Sequence, residues 1–245
     1  MKVTYQIIKK EERIFFNDGT QYVLLDSGFL PPWFGGRYSV AVNGMIGPFK
    51  VHTDRKEFFE RFINLQIEEG CFATAVLNPM DGFNCTLCGD MLTITDEEVN
   101  VDEYEHFFPF VSPRIPSLPA GITLPHLPLV KGQINGNERI MLFDSGARMT
   151  MIADPQLLKG EKVRKYTEWM GMLQEYAELD VFDVDLQFGE DFKYSGESAL
   201  VTQKAYIDQA RQTNVFVILG IDLFNLYDMG IVCRGARKGL AFRKR

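Results

Sequence analysis

The sequence predicts a mainly β protein built from two related halves, with a few short helices. Three observations point there. A unit of turn, apolar strand and Asp-Ser-Gly occurs twice; a proline-dense stretch separates the copies; and the segment from Phe182 to Phe188 alternates apolar and polar residues with the period of two that a half-buried strand requires. With 245 residues, 46% of them hydrophobic, the chain can bury a large core, as one big domain or two small ones.

The N-terminal "MKVTYQIIKKEERIFF" carries charges from Lys9 to Arg13 that interrupt any apolar core of signal-peptide length. No window approaches the roughly 20 apolar residues of a membrane span, so a cytoplasmic protein with no membrane partner is expected. The first copy follows as "FNDGTQYVLLDSGF": Asn17-Asp18-Gly19 as turn, an apolar strand, then Asp26-Ser27-Gly28. Next, "YSVAVNGMIGPFKV" reads as strand, Asn43-Gly44 turn and strand, a hairpin with its tip at Gly44, Met45, Ile46 and Gly47. "TDRKEFFERFINLQIEEG" predicts a helix that Asp54 caps, Glu57 completes as a box, and Gly70 stops, with Phe58, Phe59, Phe62 and Ile63 on one face. "NCTLCGDMLT" then gives a strand ending at Gly89.

From Phe107 to Val130 the chain holds Pro109, Pro113, Pro116, Pro119, Pro125 and Pro128, a density that forbids helix and interior strand and favours an extended connector. The expected division is 1–107, a connector 108–130, and 131–245. The second copy, "INGNERIMLFDSGA", sets Asn135-Gly136 as turn, then a strand, then Asp144-Ser145-Gly146-Ala147. Around Trp169 and Met170 two readings stay open, because the interval suits a second hairpin while Trp169, Met172, Leu173 and Tyr176 also share a helical face. Phe182, Val184, Leu186 and Phe188 alternate with Asp183, Asp185 and Gln187 as a strand, and "VFVILGIDLF" gives another that ends at Gly220. Paired with "NCTLCGDMLT", that glycine strand makes a second feature repeated in the same order.

Composition removes several function classes. A net charge of -7 argues against nucleic acid as a partner, which needs a concentrated excess of Lys and Arg. The basic "RGARKGLAFRKR" end from Arg234 reads as a solvated tail. Four cysteines without a secretory signal read as reduced thiols. Cys85 and Cys88 form a C-x-x-C pair, but no second pair exists and His52, His106 and His126 are scattered, so no metal site is expected.

A carboxylate at the end of a stretch as apolar as Ile140-Met141-Leu142-Phe143 needs a reason, since Asp is seldom buried without a partner or a bound proton. Asp-Ser-Gly alone could be an ordinary turn. Repeated, following an apolar strand, and paired with a later strand ending in glycine, it resembles the signature of the retropepsin and pepsin superfamily of aspartic peptidases. Asp144-Ser145-Gly146-Ala147, followed by Thr150 and Ile152, and Ile218-Leu219-Gly220 carry the closer half of the likeness; Asp26-Ser27-Gly28 carries the other, with Phe29 and Pro31-Pro32-Trp33 departing from the pattern.

The resemblance implies two retropepsin-like β-barrel lobes about a pseudo-twofold axis, each delivering one carboxylate. Asp26 and Asp144 would share one proton and activate a water against a peptide bond, with no cofactor, no metal and no covalent intermediate. It implies that Ser27 and Ser145 bond across to the opposite loop, that Gly28, Gly146 and Ala147 complete the loops, and that hairpins near Gly44, Met45 and Ile46 and near Trp169 and Met170 serve as flaps. The substrate would be a peptide or protein. A monomer carrying both carboxylates is favoured over a homodimer pairing Asp144 with its symmetry mate, and a non-catalytic peptide binder of the same fold is the remaining alternative.

Overall fold

A computed structural model describes residues 1–28, 44–52, 60, 65–112, 127–170, 173 and 175–245. The fold is mainly β, with barrel-like sheets. A five-stranded sheet from the first half runs β2 (Ile8–Lys10), β3 (Arg13–Asn17), β4 (Tyr22–Leu25), β8 (Cys71–Leu77), β7 (Gln66–Glu68), beside a two-stranded hairpin of β5 (Gly44–Ile46) and β6 (Phe49–Val51). The strand before Asp26, β4, lies parallel to β8, with Leu24 opposite Val76 and Leu25 opposite Leu77. Phe16, Val23, Leu25, Ala75 and Leu77 are sealed into the main core, while Phe15, Leu24 and Val76 belong to a second cluster, as the pleat demands of strands buried on both faces.

The second half forms a seven-stranded sheet in the order β12 (Leu129–Ile134), β13 (Asn137–Phe143), β18 (Val217–Leu219), β14 (Thr150–Ile152), β17 (Phe192–Leu200), β16 (Glu175–Phe188), β15 (Arg164–Met170). A further β12–β16 pairing closes it into a barrel and abolishes the edges there. Asn135 and Gly136 both take positive φ, 49° and 81°, the geometry of a two-residue hairpin turn, and so fix the register of β12 on β13. Again the strand before the aspartate is parallel to another: β13 pairs β18, with Leu142 opposite Ile218 and Phe143 opposite Leu219.

Strands from both halves share a third sheet, ordered β1 (Lys2–Gln6), β10 (Met91–Thr95), β9 (Asn84–Cys88), β19 (Tyr227–Val232), β20 (Gly239–Lys244), β11 (His106–Pro109). The proline-rich segment begins within β11, an edge strand where Pro109 interrupts no interior ladder, and ends within β12; residues 113–126 lie outside the described set.

Four local expectations need correction. The basic C-terminus is not a solvated tail: Leu240, Ala241 and Phe242 are buried in β20, and Arg243 and Arg245 pair with Asp228. The apolar triplet completes a sheet, and the charges lie where they have a partner. The strand at Asn84–Cys88 belongs to the third sheet, so the first half's counterpart of β18 is β8, which ends at Leu77-Asn78 without a glycine. The β5–β6 turn sits at Gly47-Pro48, Gly47 having φ 57°, and not at Asn43-Gly44, because Gly44 is already paired with Val51. Most of the helix expected over 53–70 falls outside the described residues, but its last part is the strand Gln66–Glu68, with Gly70 at φ 72° turning the β7–β8 hairpin. The one α-helix among the described residues, α1 (Lys204–Thr213), buries Ala210, packs Tyr206 on the second half's cluster and ends at Asn214 in the left-handed conformation. No helix among the described residues is long and apolar enough to cross a membrane.

Candidate active site

Both Asp-Ser-Gly loops leave their sheets at the same kind of place. Asp26 N–H donates to the Leu77 carbonyl at 3.0 Å, and Asp144 N–H to the Leu219 carbonyl at 2.8 Å, so each aspartate starts its loop anchored to the strand parallel to its own. The loops are then bonded to each other reciprocally. Ser145 Oγ accepts from Ser27 N–H at 2.9 Å and donates to the Leu25 carbonyl at 3.2 Å, while Ser27 Oγ accepts from Ser145 N–H at 3.0 Å and donates to the Phe143 carbonyl at 3.1 Å. Both serines are buried, at 1% and 0% exposure, so water cannot replace these bonds cheaply.

The glycines are required for space. Neither Gly28 nor Gly146 has positive φ, so it is room, and not a left-handed backbone, that excludes a side chain. A Cβ on Gly28 would overlap the Asp144 carboxylate, and one on Gly146 would lie 2.5 Å from Asp26 Cγ. Each glycine is thus the floor on which the opposite carboxylate rests, which brings the two carboxyl groups together between the loops. Gly220 has a similar constraint, since a Cβ there would overlap the Met149 backbone. At the matching place in the first half, Asn78 uses its side chain to accept from Met80 N–H.

The environment divides the pair unevenly. Burial raises the Asp26 carboxyl well above the usual carboxylate range, and the neighbouring Asp144 raises it further, against weaker opposition from the Gly28 N–H and the Arg13 charge. Burial also raises Asp144, but the hydrogen bond with Asp26, the N–H groups of Gly146 and Ala147, and Arg13 all pull it back. The Gly146 N–H reaches Asp144 Oδ1 at 2.8 Å. Asp26 Oδ1, by contrast, is buried and meets no donor from the rest of the described protein, which a bound proton on the pair compensates. Both carboxyls are raised by burial, and the titration belongs to the pair and not to either residue.

Around Trp169 the chain forms a hairpin and not a helix. β15 pairs β16 in register, Trp169 opposite Tyr176 and Met170 opposite Glu175, and the Trp169 and Tyr176 rings pack edge-on at 5.3 Å. Met170 is buried in the second half's cluster with Ala147, Met149 and Met151, whereas Trp169 packs against the first half's cluster that contains Phe15, Leu24 and Val76. The hairpin therefore reaches across between the halves. In the other candidate flap, Met45 is exposed, but Ile46 and Phe49 are buried in the main core, Phe49 packs against Phe83, and Gly47 lies beside Met1. Its described contacts run to those residues and not to the carboxylate pair.

Sequence reasoning missed a buried charge cluster beside the loops. Arg13, 5% exposed, donates through Nε to the Gly146 carbonyl at 3.2 Å and through Nη2 to Glu168 Oε1 at 2.8 Å. Glu168, 3% exposed, also accepts from Arg148 Nε at 3.0 Å and from the Tyr166 hydroxyl at 2.7 Å. In sequence Arg13 closes a run of charges, and only its place at the head of the apolar Ile14-Phe15-Phe16 marked it as a strand residue that could point inward.

The described residues contain no group of three His, Cys, Asp or Glu side chains fit to hold a metal ion. Cys85 and Cys88 are three apart on β9, so they project to opposite faces, Cys85 into the core and Cys88 outward, and cannot grip one ion. No protein-family model matches the chain and no curated protein matches it significantly.

Proposed function

We propose that the protein is an aspartic endopeptidase whose two catalytic carboxylates, Asp26 and Asp144, belong to one chain. One observation carries this reading: two carboxyl groups, each resting on the glycine of the other's loop, with the following serines bonded crosswise. An ordinary turn needs neither the partner loop nor a carboxylate whose proton is held by its neighbour. On this reading the halves are two related lobes about a pseudo-twofold axis. Their parallel strand pairs, β4–β8 and β13–β18, support that relation. The intrachain approach of Asp26 to Asp144 favours a monomeric enzyme over a homodimer that pairs Asp144 with itself.

The chemistry follows from one proton shared by the pair. The ionised carboxylate takes a proton from a water as that water attacks the scissile carbonyl, and the protonated one donates to the carbonyl oxygen as negative charge develops there, the titration belonging to Asp26 and Asp144 together. The covering role falls to the β15–β16 hairpin, a reading supported by its reach from the second half to the first through Trp169.

Incubating the protein with a diverse peptide mixture tests the reading. New termini are expected that disappear with a statine-type mimic, whose hydroxyl takes the place of the attacking water. Specific peptide binding with no cleavage from acidic to neutral pH would instead identify a non-catalytic binder of the same fold.

A further inference from the structure

The buried part of the charge cluster beside the loops does not balance by itself. Two guanidinium groups, Arg13 and Arg148, converge on one buried carboxylate, Glu168. Glu11 adds a second anion, 3.2 Å from Arg148 and 4.0 Å from Arg13, but at 53% exposure it sits at the solvent side of the cluster, where an ion pair contributes little. Tyr166 donates its hydroxyl to Glu168 and brings no charge, and Tyr176 is the other titratable group that feels Arg13. Apart from the exposed Glu11, the two arginines therefore outnumber the buried carboxylate by one positive charge. The group facing it across the Gly146 loop is the Asp26–Asp144 pair, and that pair holds one negative charge when it holds one proton.

We propose that Arg13 is a positioning residue of the carboxylate pair, fastening the Gly146 carbonyl of the second Asp-Ser-Gly loop to Glu168 near the turn end of the β15–β16 hairpin and balancing the charge of the singly ionised pair. Its role in turnover rests on the peptidase reading; its geometry and its effect on the carboxylates do not. Arginine suits the task because its planar fork reaches two acceptors in fixed directions, which an ammonium cannot do. Arg13 Nε and Nη2 use that fork on two segments distant in sequence, Gly146 and Glu168. The same Glu168 Oε1 accepts the Trp169 N–H at 2.8 Å, so the residue next in the hairpin, which packs on the first half, is oriented by the clamp. Arg13 also opposes the upward shift of both aspartates, as an opposite charge at this range must.

The test compares Arg13→Met with Glu168→Gln. Carboxyl carbon NMR of aspartate-labelled protein reads the titration of the pair whether or not the protein turns over, and kcat and KM are followed against pH in parallel. Arg13→Met removes the balancing cation, so both titration steps should move up by about one pH unit. Glu168→Gln leaves Arg13 in place without its counter-charge, so the steps should move down by a similar amount. A residue that merely held the fold together would give one direction of change, or none, for both. Opposite shifts support the proposal; shifts in the same direction, or unmoved titrations, overturn it. If Arg13→Met does not fold, Glu168→Gln decides alone, a downward shift in support and any other result against. Wild-type protein that cleaves nothing but shows the opposite shifts would sink the peptidase reading and leave the role of Arg13 standing.

Discussion

Replacing Ser27 by alanine removes one hydroxyl and strands two backbone groups on the opposite loop, the Ser145 N–H and the Phe143 carbonyl. Ser27 is 1% exposed, so the alanine methyl leaves no route for solvent to replace what is lost. A buried group left without its partner costs about 1–3 kcal/mol. The N–H has no alternative acceptor, whereas the carbonyl keeps a second lone pair, so the sum is expected near the lower middle of the range, about 2–4 kcal/mol. That is a large fraction of the roughly 5–15 kcal/mol by which a native domain is stable. Ser145→Ala, which strands the Ser27 N–H and the Leu25 carbonyl, should cost a similar amount. The double variant should cost less than the sum, because once one hydroxyl is lost the loops separate and the second bond pair is already weakened. Urea unfolding at neutral pH, followed by two probes whose transitions coincide, reads these numbers directly. Peptide cleavage should fall about a hundredfold in each single variant, since the carboxylates drift by a fraction of an ångström or more. Ser27→Thr keeps the hydroxyl and should retain most of both. A Ser27→Ala protein within about 0.5 kcal/mol of wild type, with an unchanged m-value, would refute the claim that the serines lock the loops.

Three further outcomes are expected. Folding raises the Asp26 carboxyl, so its contribution to stability is complete below the unfolded carboxylate range and is lost as pH rises through the folded value; Asp26→Asn should remove that slope and be the more stable protein at neutral pH, by on the order of 1 kcal/mol or more, as thermal unfolding from acidic to neutral pH would read. Gly28→Ala forces a methyl into the Asp144 carboxylate and should abolish cleavage while lowering the melting temperature, with Gly19→Ala, whose Cβ meets open space but whose φ is 97°, showing strain without loss of activity. Ala147→Ser supplies a hydroxyl beside the Asp144 carboxylate, which should stabilise its ionised form and move the pH–rate profile toward acid from a wild-type optimum in mildly acidic to near-neutral conditions; a profile that is unmoved or raised would assign the titration to other groups.

What the sequence made legible is what strand periodicity and turn chemistry control. Asn135-Gly136 could be read because only a few residues accept its two positive φ angles, and the strands leading into Asp26 and Asp144 because the apolar runs are unbroken. Asp26, Ser27, Gly28, Asp144, Ser145 and Gly146 could be read because their spacing is local and repeated. The partner of β4 could not, since β8 ends in Asn78 where β18 ends in Gly220, and the glycine at Gly89 offered a false match in another sheet. Arg13 and Glu168 stayed hidden because a buried ion pair between residues 155 apart in sequence leaves no periodic trace. The strand at Gly239–Lys244 was obscured by its flanking charges, whose partner, Asp228, lies on the neighbouring strand.

The central claim is that Asp26 and Asp144 work as one pair within one chain. Measuring kcat for the same peptide with Asp26→Asn, with Asp144→Asn and with both changes together tests it most directly. Each single change should lower the rate by about a hundredfold to ten-thousandfold, and the double variant should be no slower than the worse single one, because either loss removes the whole device. Wild-type turnover in Asp26→Asn, with loss confined to Asp144→Asn, would contradict the account.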